Sequence, residues 1–262
     1  MGLPPNVDPP TYDGRVTISG DPAGTPANPP NAVAPERAAT SAARRISRRW
    51  PLISGLAAVA LAVGLGALVV VRANSLPLRV DAEWMEEIIE HRNPVWEAPS
   101  LVMNFLGGGL TGVFVVPILI VIVLLLVRRP WAAGFYVVAT VLSAGGVQLL
   151  KQLFGRARPE DMLVSSDFGS FPSGHVANAA TMALCLGIIV PRLWVWLAGA
   201  AYTVVMLLSR TYLGAHWLTD TFGGLLIGAG VAVLLWAPLA AKLDGERALA
   251  PRHPFARTVR RN

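Results

Sequence analysis

The sequence predicts an all-α protein: a six-span transmembrane helical bundle preceded by a disordered N-terminal tail. Three observations carry that reading. The 262 residues are 53% hydrophobic and only 15% charged, with a mean hydropathy of +0.52, which is too apolar for an ordinary water-soluble domain. The apolar residues fall into six runs, several long enough at about 1.5 Å per residue to cross a bilayer core of roughly 30 Å. The basic residues between those runs collect on one side. The formal charge of +6 therefore reads as membrane orientation and not as nucleic-acid binding. The single cysteine, Cys185, lies inside an apolar run, which excludes an intramolecular disulfide and a thiolate metal cluster.

Residues 1–49 are rich in Pro, Ala, Gly and Asn without apolar periodicity, so they cannot bury enough surface to offset the entropy of ordering. They are expected to form a disordered tail, closed by Arg44, Arg45, Arg48 and Arg49 immediately before the first span at 51–71. From 72 to 97 the chain turns polar, with three arginines against six acidic residues. Trp84, Met85, Ile88 and Ile89 recur there at helical spacing between Asp81, the expected N-cap, and Pro94. A short helix lying at the membrane surface as an anchor follows.

The remaining spans are expected at about 107–127, 131–154, 175–190, 193–208 and 217–239, which makes 50–240 the membrane domain and 241–262 a basic C-terminal tail. Arg128, Arg129, Arg192, Lys242 and Arg247 fall on the side of the Arg-rich N-terminal tail, as do Arg252, Arg257, Arg260 and Arg261. The positive-inside rule places both termini in the cytoplasm and the loops 155–172 and 213–215 on the outer face. Trp50, Trp131, Trp194, Trp196, Trp217 and Trp236 stand at span ends, where an amphipathic indole favours the interface. Gly224 and Gly228 suit close helix packing in lipid.

The chemistry converges on that outer face in three short stretches. The first runs from Lys151 through Arg156 to Arg158 and Pro159, at the end of the third span. The second is Pro172, Ser173, Gly174 and His175, where Ser173 is a good N-cap and Gly174 lets an anion approach the first amides of the fourth span. The third begins with Ser209 and Arg210 and ends with His216 and Asp220. On a helix the last two would share a face, so that Asp220 could hold the imidazole by its far nitrogen and leave His216 a candidate nucleophile or base. The alternative is an interfacial pair that only satisfies itself.

Taken together, Lys151, Arg158 and Arg210 supply three cations, and the amides near Ser173 and Gly174 supply a positive helix end. Such a set suits the extra charge of five-coordinate phosphorus without a metal. His216 could attack in line, and His175 could protonate the leaving oxygen and later deprotonate water. Arg156 reads as an interfacial cation whose stem lies along the apolar surface. Glu160, Asp161 and Asp167 are scattered through a loop without ligand spacing, so no metal site is expected. The other histidines, His91 and His253, fall in a loop and a tail.

These residues resemble the signature of the type-2 phosphatidic acid phosphatase family, which also includes vanadium-dependent haloperoxidases. Lys151 and Arg158 with Pro159, then Pro172 to His175, then Ser209, Arg210, His216 and Asp220 fill the pattern in order over residues 100–240. The resemblance implies His216 as nucleophile, Asp220 as its partner and His175 as acid and base. It further implies a phosphate cradle of Lys151, Arg158, Ser173, Gly174 and Arg210, no cofactor, and a multi-pass protein of the cell membrane. A lipid phosphatase is the expected function, with undecaprenyl pyrophosphate favoured and phosphatidic acid or phosphatidylglycerol phosphate next. A lipid phosphotransferase using the same phosphohistidine is the alternative. The Pro-rich tail belongs to no part of the pattern.

Overall fold

The computed structural model describes residues 33–73 and 77–249. Among the described residues eight α-helices are formed in chain order: α1 Val33–Ala73, α2 Arg79–Glu90, α3 Pro94–Gly107, α4 Val116–Leu126, α5 Pro130–Phe154, α6 Gly174–Ile189, α7 Leu193–Tyr212 and α8 Leu218–Leu249. A single π turn, Thr111–Val115, leads into α4. No strand occurs among the described residues. The chain divides into units at Ala43 and Arg44, and the helices that build the site belong to the second. The tail expectation for 1–32 and for 250–262 lies outside the described residues. Helix α1 reaches back to Val33, through an Ala- and Arg-rich stretch of good helix formers.

By length and composition, four or five of the six expected spans stand out among the described residues. Four helical stretches are long and apolar enough to cross a membrane: Arg49–Val71, Pro130–Phe154, Leu193–Tyr212 and Leu218–Leu249. Pro94–Gly107 and Thr111–Leu126, bent by 50°, pass the same test only as a pair, as a broken span or a re-entrant loop. The sixth expected span is α6, whose 16 residues make only roughly 24 Å. It is also the most enclosed helix, buried at Val176, Ala177, Ala179, Ala180, Thr181, Ala183 and Cys185. A helix walled by α5, α7 and α8 is solvated by protein, so its length need not match the bilayer. The chain is a multi-pass membrane protein.

Small residues let these helices approach closely, as they must in lipid, where apolar surface alone drives no association. A side chain at Gly224 would strike the Ser173 carbonyl, and one at Gly228 the Ala177 carbonyl. Glycine at both positions therefore lets α8 lie against the first turns of α6, and the Ser173 amide donates to the Asp220 carbonyl at 2.9 Å. The bend between α3 and α4 has a similar cause. Gly109 takes a left-handed φ of 56°, and a side chain at Gly108 would occupy the position of the His175 imidazole. Asn178 of α6 fastens the bend by donating to the Gly112 carbonyl at 2.9 Å.

The two ends of α6 face different chemistry. Its first turn carries Gly174 and His175. At its last turn Arg129 donates to the Ile189 carbonyl at 3.0 Å and Arg247 to the Ile188 carbonyl at 2.7 Å, satisfying carbonyls that the helix leaves without intrahelical partners. Beside them Glu246 accepts from the amides of Trp131 and Ala132, at 2.6 and 3.0 Å, and so caps α5 from α8.

Candidate active site

A cavity of about 760 Å³ opens at the Gly174 end of α6, walled by α5, α6, α7 and the bend after α3. Lys151, Gly174, His175, Arg210 and His216 all line it. Arg158, Ser173 and Asp220 stand just behind the wall, each against a residue that forms it. Proline at N1 and glycine past the end fix α5: Pro130 opens the helix and Gly155 closes it in left-handed conformation, φ 54°. That stop leaves Lys151 in the last turn of α5 and frees the chain to run through Arg156 and Arg158.

His216 does not lie on a helix with Asp220, as the spacing had suggested. Helix α8 begins at Leu218, so the histidine occupies the turn before it, where Gly214 at φ 65° reverses the chain. Its Nδ1 is 2.7 Å from the Ser170 carbonyl and 3.7 Å from Asp220 Oδ2. A carbonyl only accepts, so Nδ1 carries the proton and donates it to Ser170. The lone pair of Nε2 then faces Arg158 Nη1, at 3.4 Å. Burial, with the charges of Arg210, Arg158 and Lys151, holds this imidazole well below the ordinary histidine value of 6.5, against a smaller opposing effect of the Ser170 carbonyl.

Asp220 works through intermediaries. Its Oδ2 accepts from the Ser170 hydroxyl at 2.6 Å and from the Trp217 amide at 2.9 Å, while Oδ1 pairs with Arg156. Arg156 is therefore no interfacial cation. Its side chain is wholly buried, shared between Asp220 and Asp81, with Asp81 Oδ2 2.6 Å away. Asp81 also departs from expectation: Leu78 is the N-cap of α2, and Asp81 is buried in its first turn. There it accepts from the Thr219 amide at 2.9 Å and the Thr219 hydroxyl at 2.8 Å. From that position Asp81 accepts from the Leu78 amide of α2 at 3.3 Å and also caps α8, and so ties the surface helix to the His216 turn through Arg156, Asp220 and Ser170.

The cation cluster has partners of its own. Asp167 Oδ1 lies 2.8 Å from Lys151 Nζ and 2.7 Å from Arg158 Nη2. Arg158 also donates to the carbonyls of Ala215, Asp167 and Gly169. Burial alone would raise the Asp167 carboxyl, but the Lys151 hydrogen bond and the charges of Lys151 and Arg158 outweigh it and hold the group below its usual range. On the far wall Asn104 serves two residues. Its side-chain oxygen accepts from Arg210, and its carbonyl accepts from His175 Nε2 at 3.2 Å. Ser173 is the N-cap of α6 as expected, yet it makes no side-chain cap bond; its buried hydroxyl has no partner among the described residues.

Sequence reasoning thus missed Asp81, Asn104, Asp167 and Ser170 and misread Arg156. One signal was available for Asp81: it shares a face with Trp84, Met85 and Ile88 at helical spacing, the face that α2 turns inward.

Comparison with known proteins places the chain in a family. The description of the family that matches is PAP2 superfamily, over residues 132–242, a range that contains Lys151 to Asp220 and omits Asp81 and Asn104. An undecaprenyl-diphosphatase of Sulfolobus acidocaldarius is 33% identical over 38% of the chain, which spans about half (49%) of that relative's length. A putative undecaprenyl-diphosphatase of Escherichia coli is 31% identical over 50% of the chain and 75% of its own length. In fold, the chain matches a transmembrane PAP2-type phosphatidylglycerolphosphate phosphatase from Bacillus subtilis with a TM-score of 0.61 at 21% identity, over 76% of this chain and 98% of that one. A family match that embraces the whole cation and histidine cluster, with a relative aligned over three quarters of its length, identifies the chain as a member of the PAP2 superfamily.

Proposed function

We propose that the cavity is the active site of a lipid phosphatase, which removes the terminal phosphate of a lipid phosphate or pyrophosphate through a phosphohistidine at His216. The observation that carries this is the convergence of Lys151, Arg210 and two histidines on one cavity at a span end, with Arg158 behind its wall against His216. His216 is neutral and protonated at Nδ1, with the Nε2 lone pair held only by a long 3.4 Å contact from Arg158, which suits a nucleophile. His175 donates Nε2–H to the Asn104 carbonyl, so its imidazolium form carries a second proton, on Nδ1, for the leaving oxygen, which suits an acid.

In the first half-reaction His216 Nε2 attacks phosphorus and the bond to the leaving oxygen breaks, that oxygen taking the proton of His175. Lys151, Arg158 and Arg210 balance the charge on the equatorial oxygens, aided by the amides opening α6 and the free Ser173 hydroxyl. In the second, His175 takes a proton from water, water attacks the phosphohistidine, and inorganic phosphate leaves with His216 restored. Asp220 supports the imidazolium character of His216 through Ser170 and its own 3.7 Å approach.

Undecaprenyl or another polyprenyl pyrophosphate is the favoured substrate, supported by the two relatives named for that activity; phosphatidic acid and phosphatidylglycerol phosphate follow. The active site is assigned to the outer face and both termini to the cytoplasm. Arg129, Arg192 and Arg247 lie at the opposite end of the bundle from His216, and the positive-inside rule makes that end cytoplasmic. The test is phosphate release by detergent-purified protein in excess EDTA, from the three lipids side by side, with His216→Ala as control. Release from one lipid by the parent alone supports the reading and names the class. Release that needs added metal, or persists in His216→Ala, overturns it.

A further inference from the structure

Asp167 occupies the donors that a substrate phosphate would use. One of its oxygens, Oδ1, bridges Lys151 Nζ at 2.8 Å and Arg158 Nη2 at 2.7 Å, the geometry of a phosphate oxygen between two cations. The carboxylate also has room to leave, since its side chain is 57% exposed while that of Lys151 is 4% exposed and that of Arg158 9%. The cations are fixed and the anion is the movable partner.

The chain around Asp167 is built as a short strap between two anchors. On one side the Leu163 amide donates to the Leu213 carbonyl at 2.9 Å, and Arg92 donates to the Asp161 carbonyl at 2.8 Å. On the other, the Ser170 amide donates to the Arg156 carbonyl at 2.9 Å. Gly169, at φ 72°, passes so near the Lys151 carbonyl that a side chain there would strike it. Residues 165–168 between the anchors are exposed, and Ser165 and Ser166 share the cavity wall with Asp167. A change of side-chain rotamer at Asp167 releases Lys151 Nζ and one N–H of Arg158 Nη2 without moving either anchor, while the other Arg158 donors stay on the carbonyls of Asp167, Ala215 and Gly169.

We propose that Asp167 is a built-in competitor for the phosphate subsite. An incoming phosphate must displace the carboxylate from Lys151 and Arg158, so a singly charged phosphodiester gains little over the resident anion. A phosphomonoester dianion or a pyrophosphate gains more. After hydrolysis the same carboxylate returns to the two cations and expels the product phosphate. This rests on the phosphatase reading above, and it deepens that reading by assigning a residue that sets charge selectivity and product release. Were Asp167 only a clamp that orients Lys151 and Arg158, its loss would weaken phosphate binding; a competitor's loss strengthens it. The sign separates the two.

The experiment measures inhibition by inorganic phosphate, together with KM and kcat for the lipid substrate, in the parent, Asp167→Asn and Asp167→Glu. Asp167→Asn is expected to lower the phosphate inhibition constant and KM about tenfold, with kcat falling as product release slows. Asp167→Glu, which keeps a carboxylate within reach, is expected to stay near the parent. An unchanged or raised inhibition constant in Asp167→Asn overturns the proposal. If that happens while His216-dependent phosphate release persists in the parent, the phosphatase reading stands and only the competitor falls. If the parent neither releases phosphate nor is inhibited by it, both fall.

Discussion

At the end of the bundle where α4 meets α5, Arg129, Arg247 and Glu246 spend their hydrogen bonds on helix termini, and Lys242 lies 5.0 Å from the centre of the Trp131 ring. At the other end Arg156 is held between two carboxylates, while Lys151 and Arg210 line a cavity with Arg158 just behind its wall. Composition alone would not separate these ends, since both are arginine-rich and both close helices. Burial separates them. The Arg247 side chain is 38% exposed, whereas Arg156, Asp81 and Asp220 are fully enclosed. Charges at the first end satisfy helix termini and are replaceable; those at the second stabilise one another and leave donors aimed into a cavity.

The largest expected effect lies at the cavity end. His216→Ala should reduce kcat by roughly 10⁴-fold or more, the scale seen when a nucleophile is removed, while phosphate inhibition remains measurable. Next comes the buried triad. Arg156→Met leaves Asp81 and Asp220 enclosed without their cation and should destabilise by about 3–5 kcal/mol, read from denaturation in detergent. Arg156→Met combined with Asp81→Asn should recover part of that loss, because the stranded carboxylate is gone. No loss in the single variant would mean that the triad does not brace the site.

Acidity gives a smaller and sharper distinction. Because the folded protein holds His216 well below 6.5, the neutral imidazole persists as pH falls through that value, and the acid limb of kcat/KM should lie below pH 6.5. The unfolded chain takes up the proton near 6.5 while the folded one resists, so this group lowers stability progressively as pH drops below 6.5. Arg158→Gln removes one of the charges that depress it and should move the limb upward. The smallest effect is expected at the opposite end: Arg247→Ala loses a helix-end contact worth about 1 kcal/mol and should leave kcat/KM unchanged.

What the sequence revealed and concealed follows the same division. Lys151, Arg158, His175, Arg210 and His216 were legible because their spacing survives in short stretches, and each stretch ends a helix by readable signals such as Gly155 or Ser173. The groups that hold them were not. Asp81 meets Arg156 across 75 residues and Thr219 across 138, and Asn104 meets Arg210 across 106; no local period encodes such pairs. The alignment of His216 with Asp220 on one helix failed for a local reason, since Gly214 and the turn after it delay α8 until Leu218. Length alone does not mark α6 as a span, since burial among helices removes the length requirement that the bilayer imposes elsewhere.

The most direct test of the central claim is to trap the covalent intermediate. His175→Ala should form phosphohistidine from a pyrophosphate substrate, whose leaving group needs little protonation, yet hydrolyse it slowly for want of a base. Rapid quench under alkaline conditions with labelled terminal phosphate, followed by peptide mapping, should place the label on His216. Turnover with no protein-bound phosphate, or with the label on another residue, would contradict the account.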